Sequence, residues 1–277
     1  MIIIFAQTSA LPREQIYIRS ERGIAMSLQV ESSTESPVYA VVGATGGIGA
    51  ALCRRLAARG ARLFLGGRDE AKLSALTAAT NAAAQSLDAT EAHQVDAFIA
   101  QAVTTYGQLD GVVNCVGSLL LKPAHITTND EWDFTLRQNL NSAFYLLRAA
   151  TKAMQARGGS IVLLSSAAAR TGIANHEAIA AAKAGIIGLT LSAAASYAAR
   201  GIRVNCVAPG LVATPLTARI TGSEASVKAS AALHALGRIG APEEVASAID
   251  WLLDSANSWV TGQVIGVDGG LATVRPR

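Results

Sequence analysis

The sequence predicts an α/β fold of a single domain, a doubly wound parallel sheet flanked by helices. Three observations predict it. Short apolar runs alternate with helical patterns from Val38 onward. A length of 277 residues gives room for one large core. The composition, 51% hydrophobic and 16% charged, suits a sheet covered on both faces and excludes a disordered chain. With 23 Lys and Arg against 20 Asp and Glu the net charge is only +3, and the basic residues are scattered. The basic footprint of a nucleic-acid binder is therefore missing. Cys53, Cys115 and Cys206 stand far apart in apolar contexts. They read as buried thiols of a reducing, cytoplasmic compartment, with no metal site.

Residues 1–35 are an N-terminal extension expected to be disordered, ahead of a dinucleotide-binding domain over 36–277. The run MIIIF has no basic residues before it and is too short for a secretion signal or a membrane span. Met26 opens a Ser, Glu and Thr-rich stretch and is a second candidate start, which would make residues 1–25 an upstream translation. Six segments then read as buried strands: VYAVVG, ARLFLGG, LDGVVNCVG, GGSIVLLSS, GIRVNCVAPG and GQVIGVDGG. Helices are expected to begin near Gly47, Glu70, Val95, Asp130, Asn175 and Pro242, and Gly201 ends the Ala-rich run after Asn175. Right-handed crossovers place the ligand site at the carboxyl ends of such strands.

The first strand runs straight into Gly43-Ala44-Thr45-Gly46-Gly47-Ile48-Gly49 and then the helix ALCRRLAARG. Glycines there let the backbone turn tightly, approach a diphosphate and seat the helix on the strand, while free N–H groups at the helix start bind the anion. This is a Rossmann-type arrangement. The next strand ends at Gly66-Gly67-Arg68, with no carboxylate for a ribose 2′-hydroxyl. Gly67 leaves room and Arg68 offers a permanent charge to a 2′-phosphate, so NADP(H) is favoured over NAD(H). The plainer alternative is a solvated Arg68 paired with Asp69 or Glu70.

The order of these motifs resembles the short-chain dehydrogenases/reductases (SDR), over residues 38 to 273. GATGGIG is similar to the family's TGxxxGIG, with Val42 where a threonine is usual. The resemblance implies that Asp88 and Ala89, in LDAT, hold the adenine. It implies that Asn114 and Gly117, in NCVG, stand for the NNAG that stabilises the central sheet. It assigns Asn139, in RQNLNSAF, to a proton-relay water, and Pro209, Gly210, Val212 and Thr214, in APGLVATP, to the nicotinamide and its carboxamide. Plainer roles stand beside these: Asp88 capping a turn, Asn114 satisfying buried backbone, Thr214 shaping the turn before Pro215.

The family's substrate-polarising serine falls on Ser166. Its tyrosine is expected thirteen residues later, and its lysine four beyond that on the same helical face. Lys183 is in place, where the resemblance implies that it binds the nicotinamide ribose, but the tyrosine position holds Ile179. Isoleucine has no proton to exchange, and losing a general acid costs roughly 10²–10⁴-fold, about 3–5 kcal/mol. His176 is the histidine nearest the motif and of a residue type that titrates near neutrality. The alternative for His176 and Glu177 is a solvated first turn. A water chain from Asn139 through Lys183 is a further proton source.

These observations predict an NADP(H)-dependent oxidoreductase whose proton comes from water or His176, acting on a carbonyl, conjugated alkene or imine. The competing readings are a catalytically silent NADP(H)-binding protein and a non-redox lyase or isomerase that keeps the nucleotide structurally. Residues 216–236, expected over the pocket, are rich in Ala and Ser with little charge, which points to a nonionic small-molecule substrate. Ala180, Ala181, Ala182, Ala184 and Gly185 would let a second helix approach closely, and the resemblance implies a homo-oligomer, dimer or tetramer. Neither nucleic acid nor membrane is an expected partner.

Overall fold

The computed structural model describes residues 36–275, together with the backbone of three short strands in the N-terminal segment. Those strands, β1 (Ile4–Phe5), β2 (Gln15–Arg19) and β3 (Ala25–Gln29), pair antiparallel in sequence order and belong to a unit of their own. Apart from them, the expectation of a disordered extension falls outside the described residues.

The second unit is built on a seven-stranded parallel sheet. Its strands are β4 (Val38–Val42), β5 (Arg62–Gly67), β6 (Ala83–Ser86), β7 (Gly111–Asn114), β8 (Gly159–Leu164), β9 (Ile202–Pro209) and β10 (Val264–Val267). Their spatial order is β10-β9-β8-β7-β4-β5-β6, so the winding reverses between β4 and β7. The six expected strands are present. The edge strand β6 is the addition: its sequence AAQS has no apolar run, because its side chains alternate between half-buried and exposed.

Alternate residues of each central strand feed two cores. Ala40 and Val42 face α3 (Ala92–Tyr106), α5 (Ser142–Met154) and α6 (Glu177–Tyr197) through Phe98, Leu146 and Ile186. Tyr39 and Val41 face α1 (Gly47–Ala58), α2 (Glu70–Thr80) and α9 (Pro242–Leu253) through Leu52, Leu76 and Ile249. The helix α6 with its 3₁₀ extension, residues Glu177–Arg200, is long and apolar enough to cross a membrane. Here it is a core helix, burying Ala182, Ile186, Thr190, Ala193 and Ala194. Gly201 ends it with φ +69°, as the sequence predicts.

Helix starts near Gly47, Glu70 and Pro242 match, and α4 (Asn129–Leu136) begins one residue before Asp130, behind a Thr128–Glu131 capping box. Two starts are corrected. The helix expected at Val95 begins at Ala92, because the hydrophobic period first shows where the helix turns inward, after its solvated first turn. Asn175 does not cap α6: it adopts φ +63°, turning the chain, and His176 takes the cap position.

Candidate active site

The loop after β4 hangs on its neighbour: the N–H groups of Gly43 and Ala44 both donate to the Gly66 carbonyl, at 2.9 and 3.0 Å. Gly43 sits at φ +76°, where a side chain is strained, and a Cβ on Gly49 would lie 2.3 Å from the Gly43 oxygen. Gly46 precedes α1 with no side-chain cap, so the first N–H groups of that helix, on Gly47, Ile48 and Gly49, stay available for an anion. Thr45 lies beside Gly67, and Gly47 abuts Thr214, which joins this turn to the loop after β9.

Arg68 is exposed just beyond β5. The alternative pairing with Asp69 is not the arrangement seen, because the Asp69 carboxylate is taken by Lys72, through its N–H at 3.0 Å and its Nζ at 2.8 Å. Asp88 accepts the N–H and hydroxyl of Thr90, both at 2.9 Å. Partial burial pushes its carboxyl up, but the bonds from Thr90 and the nearby charge of Arg68 outweigh that and hold it below the ordinary range. Ala89 is buried beside it.

At the end of β7, Asn114 accepts the Val116 N–H at 3.0 Å and reaches Ser142 on α5 at 3.3 Å. Its amide fastens the strand end to the helix layer. Asn139 is fully buried in a π-helical turn, Arg137–Asn141, that separates α4 from α5. Its amide nitrogen donates to the Ser118 hydroxyl and the Thr135 carbonyl, each at 2.9 Å, while its side-chain oxygen accepts the Ser118 N–H at 3.2 Å. Ser165 donates to the Lys183 carbonyl at 2.7 Å and so fixes α6 to the end of β8. The Ser166 hydroxyl accepts the Ala168 N–H at 3.2 Å.

These strand ends surround a cavity of about 440 Å³. Of the sequence-predicted residues, Ile48, Gly117, Ser166, His176, Lys183, Pro209, Gly210, Val212 and Thr214 line it. The glycines of the turn, Thr45, Arg68, Asp88, Ala89, Asn114 and Asn139 stand outside its wall. Ile179 forms part of the wall and is only 3% exposed. Lys183 is buried, and its Nζ donates to the Leu164 carbonyl at 2.9 Å. Burial pushes its pKa down to about 8. His176 also faces this cavity rather than decorating a solvated turn, whereas Glu177 is exposed. Its Nδ1 lies 2.7 Å from the Ala174 carbonyl, which only accepts, so Nδ1 carries the hydrogen and Nε2 is the nitrogen left for chemistry.

Some wall residues escape a reading by motif. Ser118, Ser226, Ser230 and His234 all line the cavity, and the last three belong to the covering segment with α7 (Ala218–Thr221) and α8 (Glu224–Leu233). His234 is fully engaged, donating from Nδ1 to the Ser230 carbonyl at 2.7 Å and accepting the Leu211 N–H on Nε2 at 3.2 Å. It braces the lid and has no nitrogen to offer a substrate. Cys53 and Cys206 are buried as expected, but Cys115 is only half-buried and lines the cavity, because it stands just beyond the end of β7. Burial pushes its thiol up to about 12, so it stays protonated.

The neighbours in sequence and structure agree with this geometry. A family model described as Enoyl-(Acyl carrier protein) reductase matches residues 43–272. Cis-4-hydroxycyclohexanecarboxylate dehydrogenase of Sinomonas cyclohexanicum is 40% identical over 244 residues, which cover 86% of this chain and 97% of that relative. A solved short-chain type dehydrogenase/reductase from Mycobacterium ulcerans superposes with a TM-score of 0.83 at 32% identity, over 87% of this chain and 92% of the other. ElxO with NADP bound superposes at 0.82 with 27% identity, over 87% and 100% of the two chains. With the reversed strand order, the glycine turn and the Ser166–Lys183 cavity in place, the chain belongs to the short-chain dehydrogenase/reductase family and is an oxidoreductase of that type.

Proposed function

We propose that the protein is an NADP(H)-dependent oxidoreductase that reduces a neutral, largely apolar small molecule and takes its proton from His176 or water instead of a tyrosine. The observation that carries this reading is the cavity itself: Ser166, Lys183, His176 and Ile179 line it together, and among the described residues its lining holds no aspartate, glutamate or arginine. Bound NADPH would supply a hydride.

The residues present fit that cofactor. The turn from Gly43 to Gly49 is a cradle that a Cβ would fill, and the open N–H groups of α1 suit a diphosphate. Lys183 has N–H groups to spare beyond its bond to Leu164, which suits ribose hydroxyls. Pro209, Gly210, Val212 and Thr214 line the same cavity, which suits a nicotinamide there. Exposed Arg68, beside small Gly67 and free of Asp69, supports a 2′-phosphate and hence NADP(H) over NAD(H).

His176, at the cap of α6, and Lys183, seven residues on, both line the cavity. Ser166 orients a polar group of the substrate. His176, when protonated, gives a proton from Nε2 while Ala174 holds the ring through Nδ1. A carbonyl, a conjugated alkene or an imine fits this set, because the last two do not need a proton at a carbonyl oxygen. Exposed Ala181 and Ala184 on α6 leave room for a second copy in a dimer or tetramer, whereas Ala182 is buried and Gly185 packs against Leu140 within the chain.

A second reading, a catalytically silent NADP(H)-binding protein, is favoured by Ile179 alone. Fluorescence titration with NADPH and NADH tests what the two share. NADPH is expected to bind more tightly, and Arg68→Ala to cost about 1.5–3 kcal/mol of that preference, the worth of charged hydrogen bonds. A variant that keeps the wild-type preference for NADPH over NADH would remove Arg68 from the site.

A further inference from the structure

Lys183 is a buried amine with one partner. It is 8% exposed, lies in the cavity wall, and spends a single N–H on the Leu164 carbonyl at 2.9 Å. Three features of its surroundings leave the nitrogen open to a ligand. Gly117 faces it without a side chain, and even a Cβ there would stand 3.5 Å from Nζ. Ile179, one turn back on α6, puts no polar atom beside it. The thiols of Cys115 and Cys206, the charged-capable groups acting on it, are held protonated by burial, at about 12 and about 11.

No carboxylate among the described residues lines the cavity to hold an ammonium ion there. Burial therefore pushes the amine down to about 8, which leaves roughly a tenth of it neutral at pH near 7. A desolvated amine in an apolar pocket is the form in which lysine attacks carbonyls.

We propose that, in the protein free of nucleotide, Lys183 Nζ is a nucleophile that forms an imine with small neutral aldehydes and ketones entering the cavity. The nitrogen lone pair attacks the carbonyl carbon, a proton passes from nitrogen to the carbonyl oxygen, and the resulting carbinolamine loses water to leave a C=N bond. No electrons are exchanged with any other reactant. Ser166 and His176 share the cavity and serve the proton transfers. A proton taken up from water on the imine nitrogen gives a charged iminium, which acidifies the carbon next to it, so the activity is exchange of that carbon's hydrogen with solvent. The inference does not rest on hydride transfer, and it makes nucleotide a competitor, since the same nitrogen would hold the ribose.

The test is to incubate the full chain, stripped of nucleotide, with cyclohexanone and sodium borohydride, and to map the reduced adduct by peptide mass spectrometry. Lys183 is expected to be labelled on the order of a hundredfold faster than an ordinary exposed lysine, the ratio of their neutral fractions. Yield should rise between about pH 7 and 9, and saturating NADP⁺ should suppress it. Lys183→Met, checked for folding by circular dichroism, should lose the label. Mapping the wild type decides the matter even if that variant does not fold. Adducts confined to exposed Lys72, Lys152 and Lys228, or no adduct at all, overturn the proposal. Labelling of Lys183 that NADP⁺ leaves unchanged supports the imine and counts against the ribose role.

Discussion

Ile179 occupies the helical position one turn before Lys183, buried against the cavity. A branched aliphatic chain there removes a proton donor and dries the lysine at once. Restoring the donor with Ile179→Tyr is expected to raise NADPH-dependent reduction of simple cyclic ketones by about 10²–10⁴-fold, the usual worth of a general acid. His176→Ala should lower turnover of the native reaction by a similar factor while leaving NADPH affinity unchanged, because the ring touches the cavity and not the glycine turn. Steady-state kinetics and nucleotide titration separate the two effects. Lys183 adds a pH dependence whose sign is fixed. Its folded value, about 8, lies below the ordinary 10.5. Below about pH 8 both folded and unfolded chains hold the proton, and the fold carries the full cost of a buried ammonium. From about 8 to 10.5 the unfolded chain binds more protons, so stability rises with pH through that window. Urea unfolding at several pH values should show the rise, and Lys183→Met should flatten it.

Helices α1 and α9 are tied by charge as well as by Leu52, Leu56 and Ile249. Asp250, its side chain 3% exposed, takes Arg55 at 2.7 Å and also Arg59, which reaches Asp254 at 2.9 Å. Asp250→Ala is expected to destabilise by only about 1–2 kcal/mol in urea melts, because both arginines are roughly half exposed and rehydrate. At the other end of α1, Gly49→Ala drives a Cβ into the Gly43 carbonyl, so the turn must open. Nucleotide titration should show binding lost while the circular dichroism spectrum persists. Elements were legible in the sequence where burial is two-sided: VYAVV is apolar throughout, and RLFLGG and IRVNCVAP are apolar but for Arg62, Arg203 and Asn205, because helices cover both faces. The edge strand β6 was illegible for the same reason inverted, since AAQS has one covered flank and no apolar run. Nor does any residue pattern announce the π turn at Arg137–Asn141, which depends on how α4 and α5 meet.

Over the whole domain, the strand order reverses between β4 and β7, and the site gathers in the crevice this creates. The turn Gly43 to Gly49 was readable because a strand, a glycine turn and a helix follow one another directly, and Ser166 and Lys183, expected from the family resemblance, do line the cavity. Arg68 is proposed from the missing acid beside it and awaits the nucleotide titration. The segment 216–236 was expected over the pocket, but which of its residues reach the cavity, Ser226, Ser230 and His234, was not readable, because that depends on tertiary contacts such as the bond from Leu211 to His234. Cys115 reads as one more core thiol until β7 is seen to end just before it. The cavity combines apolar walls with hydroxyls and one amine, so ionic substrates should be poor ones: a panel of neutral cyclic ketones and enones is expected to outperform their carboxylated analogues in kcat/KM.

Hydride transfer is measured most directly with NADPH deuterated at both nicotinamide C4 positions, offered with that substrate panel to the wild-type protein and read by mass spectrometry of the products. One deuterium is expected on product carbon, formed by the protein with Ile179 in place and reduced by His176→Ala. Tight NADPH binding with no deuterium in any product would contradict it and leave the protein a nucleotide binder.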